Sequence, residues 1–255
     1  MNFIALTRQV SPQIGHCELT HLQRQPINYT LACEQHRAYE QTIQALGHQV
    51  ISLPPESDFP DSVFVEDTAF VLDEFAVMLR PGAESRLGEV PSIARALHPY
   101  RHLYYLQDPA TIDGGDILLV GQHVYIGLSS RSNREAVRQI SEILEPRGYK
   151  VTSVEVHGCL HLKSAVTLAS EDTLLLNPAW IDMRIFADYS IIEIDPQEPH
   201  AANALMVGES VIYPAGFQVT AGRMRRLGLE VIELDVSELM KAEGAVTCCS
   251  LLIST

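Results

Sequence analysis

A thiol, an imidazole and several carboxylates stand in this chain of 255 residues in settings that suit nucleophilic chemistry. Cys248 and Cys249 lie together near the end, between Gly244-Ala245-Val246-Thr247 and Leu251-Leu252-Ile253. On a strand, adjacent side chains point to opposite faces, so at most one of the two thiols enters a given pocket. His161 closes His157-Gly158-Cys159-Leu160-His161, and Asp113 opens Asp113-Gly114-Gly115-Asp116. Asp61, Glu66 and Asp67 lie among Val and Phe in Phe59-Pro60-Asp61-Ser62-Val63-Phe64-Val65-Glu66-Asp67. A thiol nucleophile needs a lowered pKa, a base and a group that orients the base, and Cys248, His161 and Asp113 are of those types. Charges in so apolar a stretch as 59–67 are costly to bury unless paired. A guanidinium, planar, permanently charged and forked, is a cation whose donors match carboxylates. Thiol attack on a guanidinium carbon, protonation of the departing amine by histidine and activation of water against the thiouronium adduct need no metal and no cofactor.

Each of these groups also has a plainer reading. Cysteine is often a small buried hydrophobe, Asp-Gly is a common turn dipeptide, and the acids of 59–67 suit an exposed loop. A sharper rival is a metal site built from His157, Cys159 and His161 on one strand face, although it lacks a fourth ligand and the usual zinc spacing. That reading would make the chain a metal- or redox-responsive binding protein.

The elements that must position these residues repeat. Thr68 to Leu72 and Phe75 to Leu79 read as two strands about Asp73-Glu74, followed by a helical stretch from Glu84 to Leu97 and a strand from Leu103 to Leu106. The same order follows Asp116, with a turn at Gly121-Gln122, and again follows Lys163 and Asn203. The starts at Asp67, Asp116, Lys163 and Asn203 are 49, 47 and 40 residues apart, and Cys248 lies 45 beyond the last. A fifth unit is cut by the termini: Cys249 to Ile253 is its first strand, Phe3 to Thr7 its second, and Thr30 to Leu53 its helix and last strand. A period of this size marks arrays and propellers. The sequence predicts an α/β fold, a five-bladed α/β propeller of strand-strand-helix-strand modules around a central pocket, forming one domain over residues 1–255. The alternative is an open α/β sheet. In the propeller the module starts face the axis and bring acids, histidine and thiol together.

Composition narrows the partners. A formal charge of −14 argues against nucleic acid and anionic membranes and favours a small cationic substrate. No apolar run reaches membrane-spanning length, and the N-terminus does not read as a secretory signal. Five cysteines, an odd number with two adjacent, fit a reducing, cytoplasmic setting better than a disulfide framework. A homodimer is compatible with the sequence.

With Arg80-Pro81-Gly82-Ala83-Glu84-Ser85-Arg86, Leu160-His161-Leu162-Lys163 and Thr247-Cys248-Cys249-Ser250 added, these motifs in order closely resemble the dimethylarginine dimethylaminohydrolase family of the guanidine-modifying (pentein) superfamily. The resemblance covers essentially the whole chain. It implies hydrolysis of asymmetric dimethylarginine and monomethylarginine to citrulline, with Cys248 as nucleophile, His161 as general acid/base and Asp113 as the acid that orients it. Some relatives have Glu at that last position. It further implies that Glu66 and Asp67 hold the guanidinium with help from Asp61, that Arg86 and Arg131 bind the substrate carboxylate, and that backbone carbonyls near Leu19 and Ala242 receive the α-amine. Leu19 lies in the long polar loop 11–28, which the resemblance makes a lid. Sister reactions, arginine or agmatine deimination and amidino transfer, are the rival enzymes, and agmatine has no carboxylate to occupy the two arginines.

Overall fold

The computed structural model describes residues 3–254. In chain order, β1 (Phe3–Arg8) leads through α1 (Tyr29–Ala45) to β2 (Gln49–Leu53). Then come β3 (Ala69–Val71), β4 (Phe75–Met78), α2 (Val90–Leu97) and β5 (His102–Tyr105), followed by β6 (Ile117–Val120), β7 (His123–Leu128), α3 (Arg134–Leu144) and β8 (Lys150–Glu155). The fourth blade has a short α4 (Leu162–Ala165), β9 (Val166–Leu168), β10 (Thr173–Leu176) and β11 (Ser190–Glu193), with only a 3-10 turn, Met183–Phe186, in place of the long helix. The last has β12 (Leu205–Val207), β13 (Ser210–Pro214), α5 (Gln218–Arg226) and β14 (Glu230–Leu234), before α6 (Ser237–Met240) and β15 (Leu251–Ser254).

These strands form five three-stranded sheets, in each of which the first two strands are antiparallel and the last two parallel. The blade cut by the termini is completed as the spacing predicts: β15 pairs antiparallel with β1 (Ile4 opposite Ile253), and β1 pairs parallel with β2 (Ile4 opposite Gln49). The fold is a five-bladed α/β propeller.

Helices form where local signals agree. Asn28 caps α1 by accepting the Leu31 N–H, and Ala32, Gln35, Tyr39 and Ile43 make its buried face at helical spacing. Asn133 caps α3 in the same way through the Ala136 N–H, and Ala136, Ile140 and Leu144 face inward. Five apolar clusters then lie one between each pair of neighbouring blades. Ile4 and Leu6 pack against Ala76 and Met78 of the second blade, whereas Ala5 between them packs with Ile212 and Val236 of the fifth. Leu174 and Leu176 face the third blade and Leu175 the fifth. Both faces of these strands are covered, so their sequences read as unbroken apolar runs rather than as alternation. Burying each such side chain contributes roughly 1.5–3 kcal/mol, and the closed ring leaves no blade without two neighbours. Among the described residues no helix is long and apolar enough to cross a membrane.

One local expectation changes. Cys248 and Cys249 are not on a strand; they lie in a turn, and β15 begins only at Leu251. A tight turn is needed there because the chain leaves the axis to enter the first strand.

Candidate active site

The module starts meet at the axis in a ring of hydrogen bonds. The Glu66 N–H donates to the Cys248 carbonyl (3.1 Å), the Gly115 N–H to Asp67 Oδ1 (3.0 Å) and the Leu162 N–H to Asp116 Oδ1 (2.8 Å). Asn203 closes the ring, donating to the Lys163 carbonyl (3.1 Å) and to Thr247 Oγ1 (2.9 Å) while accepting the Thr247 N–H (3.2 Å). One short segment from each blade thus supports the next. The two glycines of 113–116 are required for this closeness: a Cβ on Gly114 would collide with the Glu66 carbonyl, and one on Gly115 with the His161 ring. They allow the backbone to approach neighbouring protein groups closely.

On one side of the ring a small cavity is lined by Asp61, Asp67, Arg86, Asp113, Arg131, His161, Ala242 and Cys248, together with Glu18, Phe64, Leu160, Glu243 and Gly244. His161 Nε2 lies 2.9 Å from Asp113 Oδ2, and Asp113 Oδ1 accepts the Gly82 N–H (2.7 Å). Burial alone would depress the imidazole pKa, but Asp67, the hydrogen bond to Asp113 and the charge of Asp116 outweigh it and hold His161 at about 9. Burial pushes the Cys248 thiol up, and Glu66 and Asp67 push it further. In the free protein at neutral pH this site therefore holds a protonated imidazole and an un-ionised thiol. Cys249 is buried in the cluster between the first and fifth blades, its thiol against the Ala245 carbonyl.

The acids are held by a buried arginine. Arg86 Nη1 donates to Asp67 Oδ2 (2.6 Å), Nε and Nη2 bind both oxygens of Glu89, and Nη2 also reaches the Asp61 and Phe64 carbonyls. Burial would raise the Asp67 pKa, but Arg86, His161 and the Gly115 N–H keep its carboxyl below the ordinary value. Asp61 lacks such a direct ion pair, and burial raises it despite Arg86 and the Glu18 N–H. Arg131 is the less committed cation: it donates to Thr20 Oγ1 (3.0 Å) and stands 3.7 Å from Asp113.

Residues 11–28 cover this cavity. The Glu18 N–H donates to Asp61 Oδ2 (3.0 Å), Ser85 Oγ donates to Glu18 Oε1 (2.7 Å), and the Arg24 guanidinium donates to the carbonyls of Gly15 (2.7 Å) and Cys17 (2.6 Å).

The sequence profile of the eukaryotic N,N dimethylarginine dimethylhydrolase family matches residues 16–254. The chain belongs to this family. Over 226 residues, covering 88% of this chain and 89% of the relative, it is 41% identical to the N(G),N(G)-dimethylarginine dimethylaminohydrolase of Pseudomonas aeruginosa. It is 36% identical over 248 residues to the enzyme of that name from Streptomyces coelicolor, covering 96% and 95%. Its structure matches the Pseudomonas aeruginosa dimethylarginine dimethylaminohydrolase, solved as a cysteine-to-serine variant with citrulline, at a TM-score of 0.93 and 37% identity over 98% of each chain. The N-terminal domain of ArgZ, a cyanobacterial arginine dihydrolase, shares the fold at a TM-score of 0.86 and 22% identity.

Seen as a dimethylarginine dimethylaminohydrolase family member, the chain places most of the expected residues in one cavity, with three differences. Glu66 turns to the other end of the axis, where Lys163 Nζ lies 2.6 Å from its Oε1. Arg86 is engaged with internal acceptors. Leu19 packs against the cluster between the first and fifth blades, and its neighbour Glu18 is the one lining the cavity. The rival metal site does not assemble: Gly158 turns the chain (φ 71°), His157 is exposed and Cys159 packs in the cluster between the third and fourth blades. Ligand atoms of Asp67, Asp113 and His161 do lie within 4.8 Å of one another, a spacing that a metal ion could use. Their hydrogen bonds to Arg86, Gly115, Gly82 and each other account for the grouping without one. Sequence reasoning gave no role to Asp116, whose carboxylate accepts the Ser129 and Ser132 hydroxyls (2.5 Å each) and the Leu162 N–H. Burial raises it to about 6. Its signal was the second acid of the Asp-Gly-Gly-Asp motif.

Proposed function

We propose that this chain hydrolyses N-ω-methylated arginines, asymmetric dimethylarginine and monomethylarginine, to citrulline and dimethylamine or methylamine through a thiouronium on Cys248. The observation that carries this reading is the buried Cys248 thiol in one cavity with the His161–Asp113 pair and the Arg86-held carboxylate of Asp67. The free thiol is held un-ionised by burial and by the same acids that attract a guanidinium. When the cation enters beside Asp67 it offsets their field, the thiol loses its proton to solvent and the sulfur attacks the guanidinium carbon. His161, protonated at neutral pH, gives its proton to the departing amine as the C–N bond breaks. Now neutral, it takes a proton from water, whose oxygen adds to the thiouronium carbon. The C–S bond then breaks with its electron pair going to sulfur, the Cys248 thiolate takes the proton of the new hydroxyl, and citrulline leaves.

Asp67 takes the guanidinium from the cavity side. Glu66, at the other end of the axis, adds negative potential from behind without lining the cavity. Arg131 receives the substrate carboxylate, with Arg86 adding charge from behind, and the backbone near Leu19 and Ala242 takes the α-amine with help from Asp61. A substrate carboxylate distinguishes this reaction from agmatine deimination. We read the chain as a cytoplasmic enzyme, since its five cysteines are all unpaired. The test is to incubate the protein separately with dimethylarginine, monomethylarginine and arginine and to assay citrulline. Citrulline from both methylated substrates is expected; citrulline from arginine alone, or from none, overturns the reading.

A further inference from the structure

Glu243 is the one non-glycine residue at positive φ (58°) among the described residues. It follows α6 at a position where the chain turns back, with the Glu243 and Gly244 N–H groups donating to the carbonyls of Met240 (3.1 Å) and Leu239 (3.1 Å). Glycine is the usual residue in that left-handed conformation. A glutamate held there points to a use for its side chain. That side chain reaches across to the covering loop and accepts three successive backbone N–H groups, those of Thr20 (2.9 Å), His21 (2.6 Å) and Leu22 (2.5 Å). Consecutive N–H groups turned to one side form an anion-binding concavity, and here the chain fills it with its own carboxylate.

The position of this contact matters more than its strength. Glu243 sits between Ala242 and Gly244, and all three line the cavity. On the other side, residues 20–22 directly follow Leu19. The carboxylate therefore ties together the two backbone segments assigned above to the α-amine. We propose that Glu243 is a positioning residue: it latches the loop over the cavity and fixes the spacing between the Leu19 and Ala242 segments that receive the substrate amine. Other ties of the loop come from Asp61, Ser85 and Arg131 of the second and third blades and, at its far end, from Glu238 and Lys241, which hold the Asn28 N–H and the Pro26 carbonyl. Glu243 is the anchor of residues 20–22, the part of the loop next to Leu19, on the side where the chain returns to Cys248. The proposal rests on the methylarginine reading for its substrate consequence, but the latch itself does not.

The test uses Glu243→Gly, which suits the backbone conformation and deletes only the carboxylate, beside Glu243→Gln, which keeps one acceptor oxygen. Trypsin cleavage after Arg24, within the loop, reports the open population when opening and closing are fast relative to cleavage. Glu243→Gly is expected to speed it by about tenfold or more with no change in the thermal unfolding midpoint, and Glu243→Gln by less. Unchanged cleavage overturns the latch, whether or not the protein makes citrulline. For dimethylarginine, Glu243→Gly is expected to raise KM by about tenfold with kcat changed less than about twofold, the pattern of lost uniform binding. With an ω-methylated 5-guanidinopentanoate, which lacks the α-amine, the KM effect should vanish. An equal KM rise for both substrates overturns the positioning role. A wild-type protein that makes no citrulline breaks the functional reading and leaves the proteolysis result to decide the latch.

Discussion

Glu66 and Asp67 are neighbours on one 3-10 turn, Val65–Thr68, yet they serve opposite ends of the propeller axis. Asp67 faces the loop-covered cavity, fixed by Arg86 and Gly115 beside His161 and Cys248. Glu66 faces an opening at the other end, walled by the first strands of the blades through residues such as Phe70, Leu118, Leu168, Met206 and Leu252, and it is paired there with Lys163. Along one end, charged groups of both signs are linked by buried hydrogen bonds under a loop; along the other, an apolar wall carries a single ion pair. Beyond its burial, the Cys248 thiol feels the charge of both acids. Position along the axis, rather than residue type, separates the carboxylate that can hold a substrate from one whose first task is to neutralise a lysine.

The largest effect expected from this contrast is at the thiol. Cys248→Ser should lower citrulline formation by more than about a thousandfold, whereas Cys249→Ser, altering a thiol outside the cavity, should stay within about tenfold of wild type. Equal losses would erase the assignment of one thiol to the cavity. Asp67→Asn should cost about a hundredfold in kcat/KM and also lower the unfolding midpoint, because Arg86 loses a buried counter-ion.

The same substitution separates the two ends through pH. With His161 held at about 9, kcat/KM should fall above about pH 9 as the imidazolium is lost. Asp67→Asn should move that limb toward the ordinary histidine range, whereas Glu66→Gln should leave it near 9. A folded pKa raised above the unfolded value contributes stability that is complete below pH 6.5 and disappears as pH rises through 9. Asp116, raised to about 6, acts with the same sign, its contribution present below the ordinary carboxylate range and lost through about pH 6. Unfolding midpoints measured from pH 5 to 10 should accordingly fall with rising pH, and a flat profile would contradict the assigned cause. The smallest effect belongs to the far end: Lys163→Met leaves Glu66 without its cation and should destabilise the fold by about 2–3 kcal/mol, with a smaller loss of activity than Asp67→Asn. An equal activity loss would show that the two ends act as one site.

Much of this was legible because the repeat is covalent order made visible. Module starts at Asp67, Asp116, Lys163, Asn203 and Cys248 recur at intervals too regular for an open sheet, and apolar runs such as Leu174-Leu175-Leu176 announce strands covered on both faces. Cys248 lines the cavity and Cys249 does not, but strand alternation is not the reason, because both thiols lie in one turn. The direction of Glu66 was hidden for a related cause, since the module starts are 3-10 turns and the period of two does not run through them. His157 and Cys159 looked like one face of a strand until Gly158 turned the chain between them.

The sequence by itself determined the five-fold repeat, the blade shared by the two termini, and the convergence of a thiol, a histidine and acids, because periodic burial and the order of motifs are written residue by residue. Only the tertiary structure decided which acid meets Arg86 and which meets Lys163, that Asp116 joins the Arg131 loop to the His161 segment, and that Glu243 grips the covering loop 221 to 223 residues before it in sequence, at Thr20 through Leu22. These are contacts between distant segments, with no local pattern to record them; they arise when five blades close on one axis and each buried charge must find a partner there.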